Sequence, residues 1–426
     1  MSLDEELNIY NLHKYSNVCL DLAMNIPESH SKNPFDTLVI PSRGAVPFFL
    51  GMTYALDKLQ KQYGGDYKSF FDNLAIQPTL LSLMPDGIDI SRSLMDKDIR
   101  VLLIPFTADL NVEKFDKSLD NTEYTLRTRK YWANVTASFF KSIEERNKDP
   151  YFKSFAKVIL DNVENRPSLA GIYGGFPKIN KFAMIDTVIS GRASNEILTE
   201  FDSLSERLNN ENLKPSAFLI VDKDGRVLEN HKHYLSYLKR KEANNLVKMY
   251  TIPNIVSEDK GPSLLGVVAT LYPSIMRDSL KHLRINQNGT EKEFFVGAGS
   301  WHISTASEEV HRKTFKKFMK TVYAGIDVAY NQLEDEGPDK LTKRIHNFRE
   351  SIEELIEDLT SNKDVLKGRL NETTFYKIDK KSSSLKPYTT HSGVDQINLD
   401  EGRTFGAISQ LEQLPGVYRK SLPKSR

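Results

Sequence analysis

The chain has 426 residues, 39% hydrophobic and 27% charged, the composition of a globular protein able to bury a sizeable core without staples. Its 58 Lys and Arg against 57 Asp and Glu leave a formal charge of +1, which excludes any bulk attraction to nucleic acid or anionic lipid. A single cysteine, Cys19, excludes an internal disulfide and a cysteine-based zinc site, and fits a reducing compartment. No run of about 18 apolar residues is present. The acidic start, MSLDEELN, lacks the basic and apolar regions of a secretory signal. These features predict a cytoplasmic protein with no membrane association.

Residues 5–26 carry Leu7, Tyr10, Tyr15, Val18, Leu22 and Ile26 near helical spacing and predict an N-terminal helix. Pro27 and Pro34 bracket a polar loop. Residues 36–41 predict a strand, Ser42-Arg43-Gly44 a tight turn, and 48–59 a buried helix, the first half of a βαβ unit. Residues 60–95 are mixed, with a Gly64-Gly65 break. Residues 100–106 predict the next strand, 107–122 a polar loop, and 123–147 a long helix carrying Arg127, Arg129 and Lys130. Residues 181–186 form a strand ending on Asp186, and a turn through Ser194 leads to a helix over 195–208. Residues 216–221 and 245–252 complete the strands, with Asp224-Gly225 a turn. Strands alternating with helices predict an α/β fold, a mainly parallel sheet with helices on both faces.

The pattern changes after Trp301. Residues 305–334 predict an amphipathic helix, and Gly337-Pro338 is a stop followed by a start. In the next helix Leu341, Ile345, Phe348, Ile352, Leu355 and Leu359 recur four and three residues apart, an a/d seam. The seam packs either on its own neighbour and the core or on another molecule, giving a homodimer or a protein partner through residues 305–361. Beyond 363 the polar sequence reads as an extended, partly disordered arm. The predicted division is an α/β domain over 1–300, a helical hairpin over 301–362 and a tail over 363–426.

Two turns carry the chemistry, and each follows a strand. Pro41-Ser42-Arg43-Gly44-Ala45 brings backbone amides, an arginine fork and a helix N-terminus to one point, a combination suited to phosphate or pyrophosphate. Arg43 as an ordinary surface charge is the alternative. Asp186-Thr187-Val188-Ile189-Ser190-Gly191-Arg192-Ala193-Ser194 brings hydroxyls, a glycine and a helix N-terminus beside an acid at the carboxyl edge of the sheet. The alternative is a helix start capped by Ser194 or Asn195.

Together the two turns resemble the type I phosphoribosyltransferases. That family has a strand ending in acids, then apolar residues and a Thr/Ser-Gly-x-Thr/Ser loop for the 5′-phosphate of phosphoribosyl pyrophosphate. An earlier strand ends in a short Arg-Gly or Lys-Gly loop for the pyrophosphate. The resemblance covers about residues 30–260. It implies a Mg²⁺-dependent glycosyl transfer that makes or breaks an N-glycosidic bond at the anomeric carbon, with pyrophosphate displaced. Ser42, Arg43 and Gly44 would hold pyrophosphate. Asp186 would orient the ribose and, indirectly, the metal, while Ser190, Gly191, Arg192, Ala193 and Ser194 would take the 5′-phosphate. A flexible loop after the second strand would draw charge from Arg127, Arg129 and Lys130, whose alternative is a solvated helix face. A base-recognising hood would come from residues 5–35 or 253–273.

The departures are specific. Thr187 stands where the family has a second acid, and Ala193 near where it has a threonine. Two further readings therefore stay open: a nucleotide or phosphosugar sensor without turnover, and a defence-type effector working through a protein partner. His231-Lys232-His233 alternates on a strand or loop without a third metal ligand, and Asn288-Gly289 reads as a hairpin turn.

Overall fold

The computed structural model describes residues 7–41, 44–76, 80, 97–104, 106, 121–153, 155–156, 178–255, 280–287, 290–297, 302–304, 308–334, 337–361 and short strands between 368 and 419. For 121–125, 127–128, 280–312 and 368–419 only the backbone course is described. Six strands form one sheet: β1 Thr37–Ile40, β2 Leu74–Ala75, β3 Ile99–Leu103, β4 Phe182–Val188, β5 Ser216–Val221 and β6 Val247–Thr251. Every neighbouring pair is parallel, in the order β2-β3-β1-β4-β5-β6. The class is α/β. Strands β1, β4 and β5 are buried at every position, which is why Leu38–Ile40, Phe182–Ile185 and Ala217–Val221 read as unbroken apolar runs and not as alternating ones.

Alternate residues of each strand feed two separate cores, as the pleat requires. Leu38, Ile40, Ala183, Ile185, Phe218 and Ile220 face one side. There they meet α1 (Ile9–Lys32) and α2 (Ala45–Tyr63), joined by α3 (Gly65–Asn73). Val39, Phe182, Met184, Ala217, Leu219 and Val221 face the other side, under α4 (Asn121–Ser138), α6 (Arg192–Leu208) and α8 (Lys232–Ala243). Between α4 and β4 lies the short helix α5 (Ile143–Lys148), and α7 (Arg226–Glu229) precedes α8.

Several boundaries differ from the sequence reading. Helix α1 runs through Pro27 to Lys32, so residues 28–32 are helical and not loop. Proline removes one donor from the ladder, but the last turn is held by the Glu28–Lys32 ion pair and by the Asn33 N–H on the Ser29 carbonyl. The long helix expected over 123–147 is two helices. Ser142 starts the second with a reciprocal capping box to Glu145. Strand β4 continues two residues past Asp186, and α6 begins at Arg192 with Gly191 as its cap, not Ser194 or Asn195. His231 caps α8 and His233 lies inside it, so this pair is on a helix start and not on a strand.

Helices α9 (Glu308–Glu334) and α10 (Pro338–Ser361) run antiparallel. Thr314 and Lys317 bond Asp358, Thr321 donates to the Ser351 carbonyl, and Arg344 donates to the Asp327 carbonyl. Gly337, at φ +96°, precedes Pro338 at the first helical position. Phe348, Ile352, Leu355 and Leu359 are buried in the same core as α1, α2 and the sheet, with Leu341 and Ile345 packed against it. The apolar seam is therefore consumed inside the chain and is not a free dimer face. For the same reason a boundary at 301 does not separate two cores.

A second sheet is antiparallel, in the order β10-β9-β8-β7-β13. It joins β7 (Leu280–Gln287), β8 (Thr290–Gly297) and β9 (His302–Ser304) to β10 (Gly368–Arg369) and β13 (Val417–Arg419). In β7 and β8, Gln287 stands opposite Thr290. Strands β11 (Thr374–Asp379) and β12 (Ser384–Thr389) pair with each other. The expected division put 280–300 with the parallel sheet and 363–426 in an extended arm; the structure pairs pieces of both. Among the described residues no helix is long and apolar enough to cross a membrane.

Candidate functional site

The chain lays down β1 inside the sheet, places β2 at one edge and β3 between β2 and β1, then crosses to place β4 on the other side of β1. The order reverses between β1 and β4, which are adjacent and in register, Thr37 opposite Phe182 and Val39 opposite Met184. After β1 the chain turns into α2 on one face; after β4 it turns into α6 on the other. Diverging connections at neighbouring strand ends are the arrangement in which open α/β sheets take ligands, in a crevice outside the carboxyl ends of the strands. The turn after β4 lies there, and Pro41 and Gly44 follow β1 at the same edge.

Each of the two helices begins on a glycine. Gly44 caps α2 and Gly191 caps α6, and neither supplies a side-chain cap. The first-turn amides of α6, among them Ala193 and Ser194, have no acceptor four residues back within the helix. The Arg192 N–H is met by Ser190 Oγ at 3.4 Å. Gly191 sits at φ +81°, and a Cβ there would lie 2.5 Å from Leu228 Cδ1 and 3.2 Å from Tyr234 Cβ. The backbone conformation and the packing both demand glycine.

Asp186 is 2% exposed. Its Oδ1 accepts the Thr187 N–H at 2.8 Å and its Oδ2 accepts the Ser194 hydroxyl at 3.0 Å. Ser194, third residue of α6, is itself buried, as is Thr187. The acid thus ties the end of β4 to the first turn of α6, where a negative charge is favoured by the helix dipole. The resemblance gave Asp186 to the ribose and Ser194 to the phosphate. The structure gives both side chains an internal use.

Glu196 accepts from two arginines. Arg192 Nε reaches one carboxylate oxygen at 2.9 Å, and Arg129 Nη1 of α4 reaches the other. Arg129 is fully buried, so it is neither part of a flexible loop nor on a solvated helix face. One carboxylate, Glu196, thus lies between two guanidiniums. Arg192 Nη2 is buried with no hydrogen-bond partner among the described residues, a donor left over at the N-terminal turn of α6.

The structure brings together Gly44, Asp186, Thr187, Ser190, Gly191, Arg192, Ala193 and Ser194. Of these Ser190, Arg192 and Ala193 are partly exposed. Lys130 is exposed on α4, and Arg127 lies in the same helix with its side chain outside the described residues. Ser42, Arg43, the polar loop at 107–120 and the hood segment at 256–273 lie outside the described residues. Glu196 was missed by the sequence reading, although its position four residues after Arg192 is the spacing of a helical ion pair.

The Mg²⁺ expected at Asp186 finds a poor fit. Both carboxylate oxygens already accept hydrogen bonds in a buried position, whereas Mg²⁺ needs accessible oxygens or water-filled space. Among the described residues no group of His, Cys, Asp and Glu is arranged to hold a metal. A cleft of about 700 Å³ opens at the opposite edge of the sheet, by the amino ends of β5 and β6. On its rim Lys32 pairs with Glu28 and Lys248 donates to the Asn25 side-chain oxygen.

The fold is α/β, with the strand order reversing between β1 and β4. Comparison with protein-family models, curated proteins and solved structures finds no match for this chain.

Proposed function

We propose that the chain binds a phosphorylated ribosyl ligand, phosphoribosyl pyrophosphate or a nucleotide, in the crevice over β1 and β4. One observation carries this reading: two glycine-capped helix N-termini flank the reversal of strand order, on adjacent strands. The amides and dipole of a helix N-terminus attract phosphate. The leftover Arg192 donor adds a directed contact, and Arg43, in the sequence between β1 and α2, would add a second cation.

Binding without turnover is the form of the reading that the geometry favours. In the transfer reading, pyrophosphate leaves the anomeric carbon while acids grip the ribose and a metal. Asp186 is buried and bonded within the chain, and Thr187 brings no charge. The α10 seam, one of the surfaces a partner-dependent reading would draw on, is buried within the chain.

Thermal unfolding with phosphoribosyl pyrophosphate and with AMP, each with and without Mg²⁺, tests the site. A ligand bound only by the native state adds about 2.7 kcal/mol at a hundredfold excess over its Kd. The expected result is a rise in Tm with either ligand, lost in Arg43→Ala, retained without Mg²⁺ and unaccompanied by pyrophosphate release. No rise at millimolar ligand refutes the site, and Mg²⁺-dependent pyrophosphate release would restore the transfer reading.

A further inference from the structure

The segment that packs on the phosphate-facing turn is α7–α8, which the sequence reading left without a role. Leu228, Tyr234 and Leu238 are the side chains that a Cβ on Gly191 would meet. Tyr234 and Leu238 are four residues apart, one helical turn, so they lie on one face of α8 and that face leans on the Gly191 turn. His231, three residues before Tyr234, lies on the same face at the start of the helix, where its carbonyl accepts the Tyr234 N–H at 3.0 Å. The His231 and Tyr234 rings are 5.9 Å apart at 36°, and the His233 ring lies 3.6 Å from the Tyr234 ring. Three flat rings are thus gathered immediately beside the N-terminus of α6.

These rings are not sealed in the core. His233 is exposed, and His231 and Tyr234 are half-buried. Their support is rigid: Tyr237 donates to Asp202 of α6 at 2.7 Å, Lys241 pairs with the same carboxylate, and Leu238 is fully buried. A cluster of accessible rings on a fixed helix offers a flat, polarizable face to another ring, and aromatic rings stack on nucleobases whatever the base.

Resting on the proposed crevice, we infer that Tyr234, flanked by His231 and His233, is a stacking wall for the base of a nucleotide whose phosphate sits at the N-terminus of α6. The ligand class is therefore a base-bearing nucleotide in preference to a bare phosphosugar, which has no flat apolar face to place against the rings.

The test compares AMP with ribose 5-phosphate by calorimetric titration of the full chain, in the wild type and in Tyr234→Leu, Tyr234→Phe and His233→Ala. Stacking of one base corresponds to roughly tenfold in affinity. The expected result is AMP binding at least about tenfold tighter than ribose 5-phosphate, a gap closed by Tyr234→Leu and kept by Tyr234→Phe. His233→Ala changes an exposed ring and narrows the gap while leaving ribose 5-phosphate binding unchanged, so the answer survives if Tyr234→Leu does not fold. Equal binding of the two ligands by the wild type overturns the stacking wall and leaves the crevice standing, as does an equal loss of both in His233→Ala. Binding of neither ligand overturns the crevice itself and the wall with it.

Discussion

Gly191 is held by two independent constraints, and a single methyl group offends both. Its φ of +81° costs a side-chain-bearing residue roughly 1–2 kcal/mol. The added Cβ would also press on Leu228 and Tyr234, which are fixed by α6 and the second core, and overpacking costs about 1–3 kcal/mol. Gly191→Ala is therefore expected to lower stability by roughly 2–4 kcal/mol in urea unfolding. An unchanged midpoint would mean that the turn relaxes freely. This requirement is half legible in the sequence: Ser190-Gly191-Arg192 reads as a phosphate-type turn, but the neighbours that forbid a Cβ come from residues 228–238. Arg129 shows the same limit. Its charge suggests solvent or a mobile loop, whereas its partner Glu196 is 67 residues away and only folding brings them together.

Elements were legible where the local pattern and the tertiary context agree. Strand β5 is apolar from Ala217 to Val221 because it is paired on both sides and covered on both faces, and its bounds are those its residues predict. The break between α4 and α5 was not legible, because Phe139 and Phe140 continue an apolar pattern while the chain leaves the helix. Helix α1 outlasts Pro27 because its last turn is packed from outside. His30 meets the edges of Phe35 and Phe70, and its Nδ1 accepts the Phe35 N–H at 3.2 Å. That bond needs a lone pair on Nδ1, so it exists only with a neutral ring. Burial lowers the His30 pKa from its ordinary 6.5, against the opposing pull of Asp66 and Asp98. With the folded pKa below the unfolded one, this contribution is fully present above about pH 6.5. It is lost as pH falls toward the folded value, since the unfolded chain then binds the extra proton. His13 is lowered in the same direction by burial. In His30→Gln, whose amide oxygen accepts the same N–H at any pH, the fall in urea midpoint between about pH 7 and about pH 5.5 is expected to shrink without vanishing. An unaltered fall would place the acid sensitivity elsewhere.

At the scale of the molecule, the parallel sheet is covered on one face by helices from both ends of the described chain. Helix α9 lies against α1 and α2: Ser16 Oγ donates to the Val322 carbonyl at 3.0 Å, and Tyr54 donates to Asp327 at 2.9 Å. Gly325 marks the closest approach, where a Cβ would overlap Ser16 and come within 3.1 Å of Phe348 on α10. A helix pair packed this tightly belongs to the sheet's own fold, and the heptad seam that suggested a second molecule serves the first. Ile352, 7% exposed in the middle of that seam, separates the two possibilities. In a dimer seam, Ile352→Asp would halve the molecular mass and leave the monomer's stability nearly intact. In the internal seam it removes a buried apolar side chain, worth about 2–5 kcal/mol on truncation, and sets an unpaired carboxylate in its place. The expectation is a loss of several kcal/mol in one cooperative transition, with no change of mass by light scattering at concentrations where the variant is folded. A variant that kept its stability and lost half its mass would return the seam to the surface, as a contact between two copies of the chain.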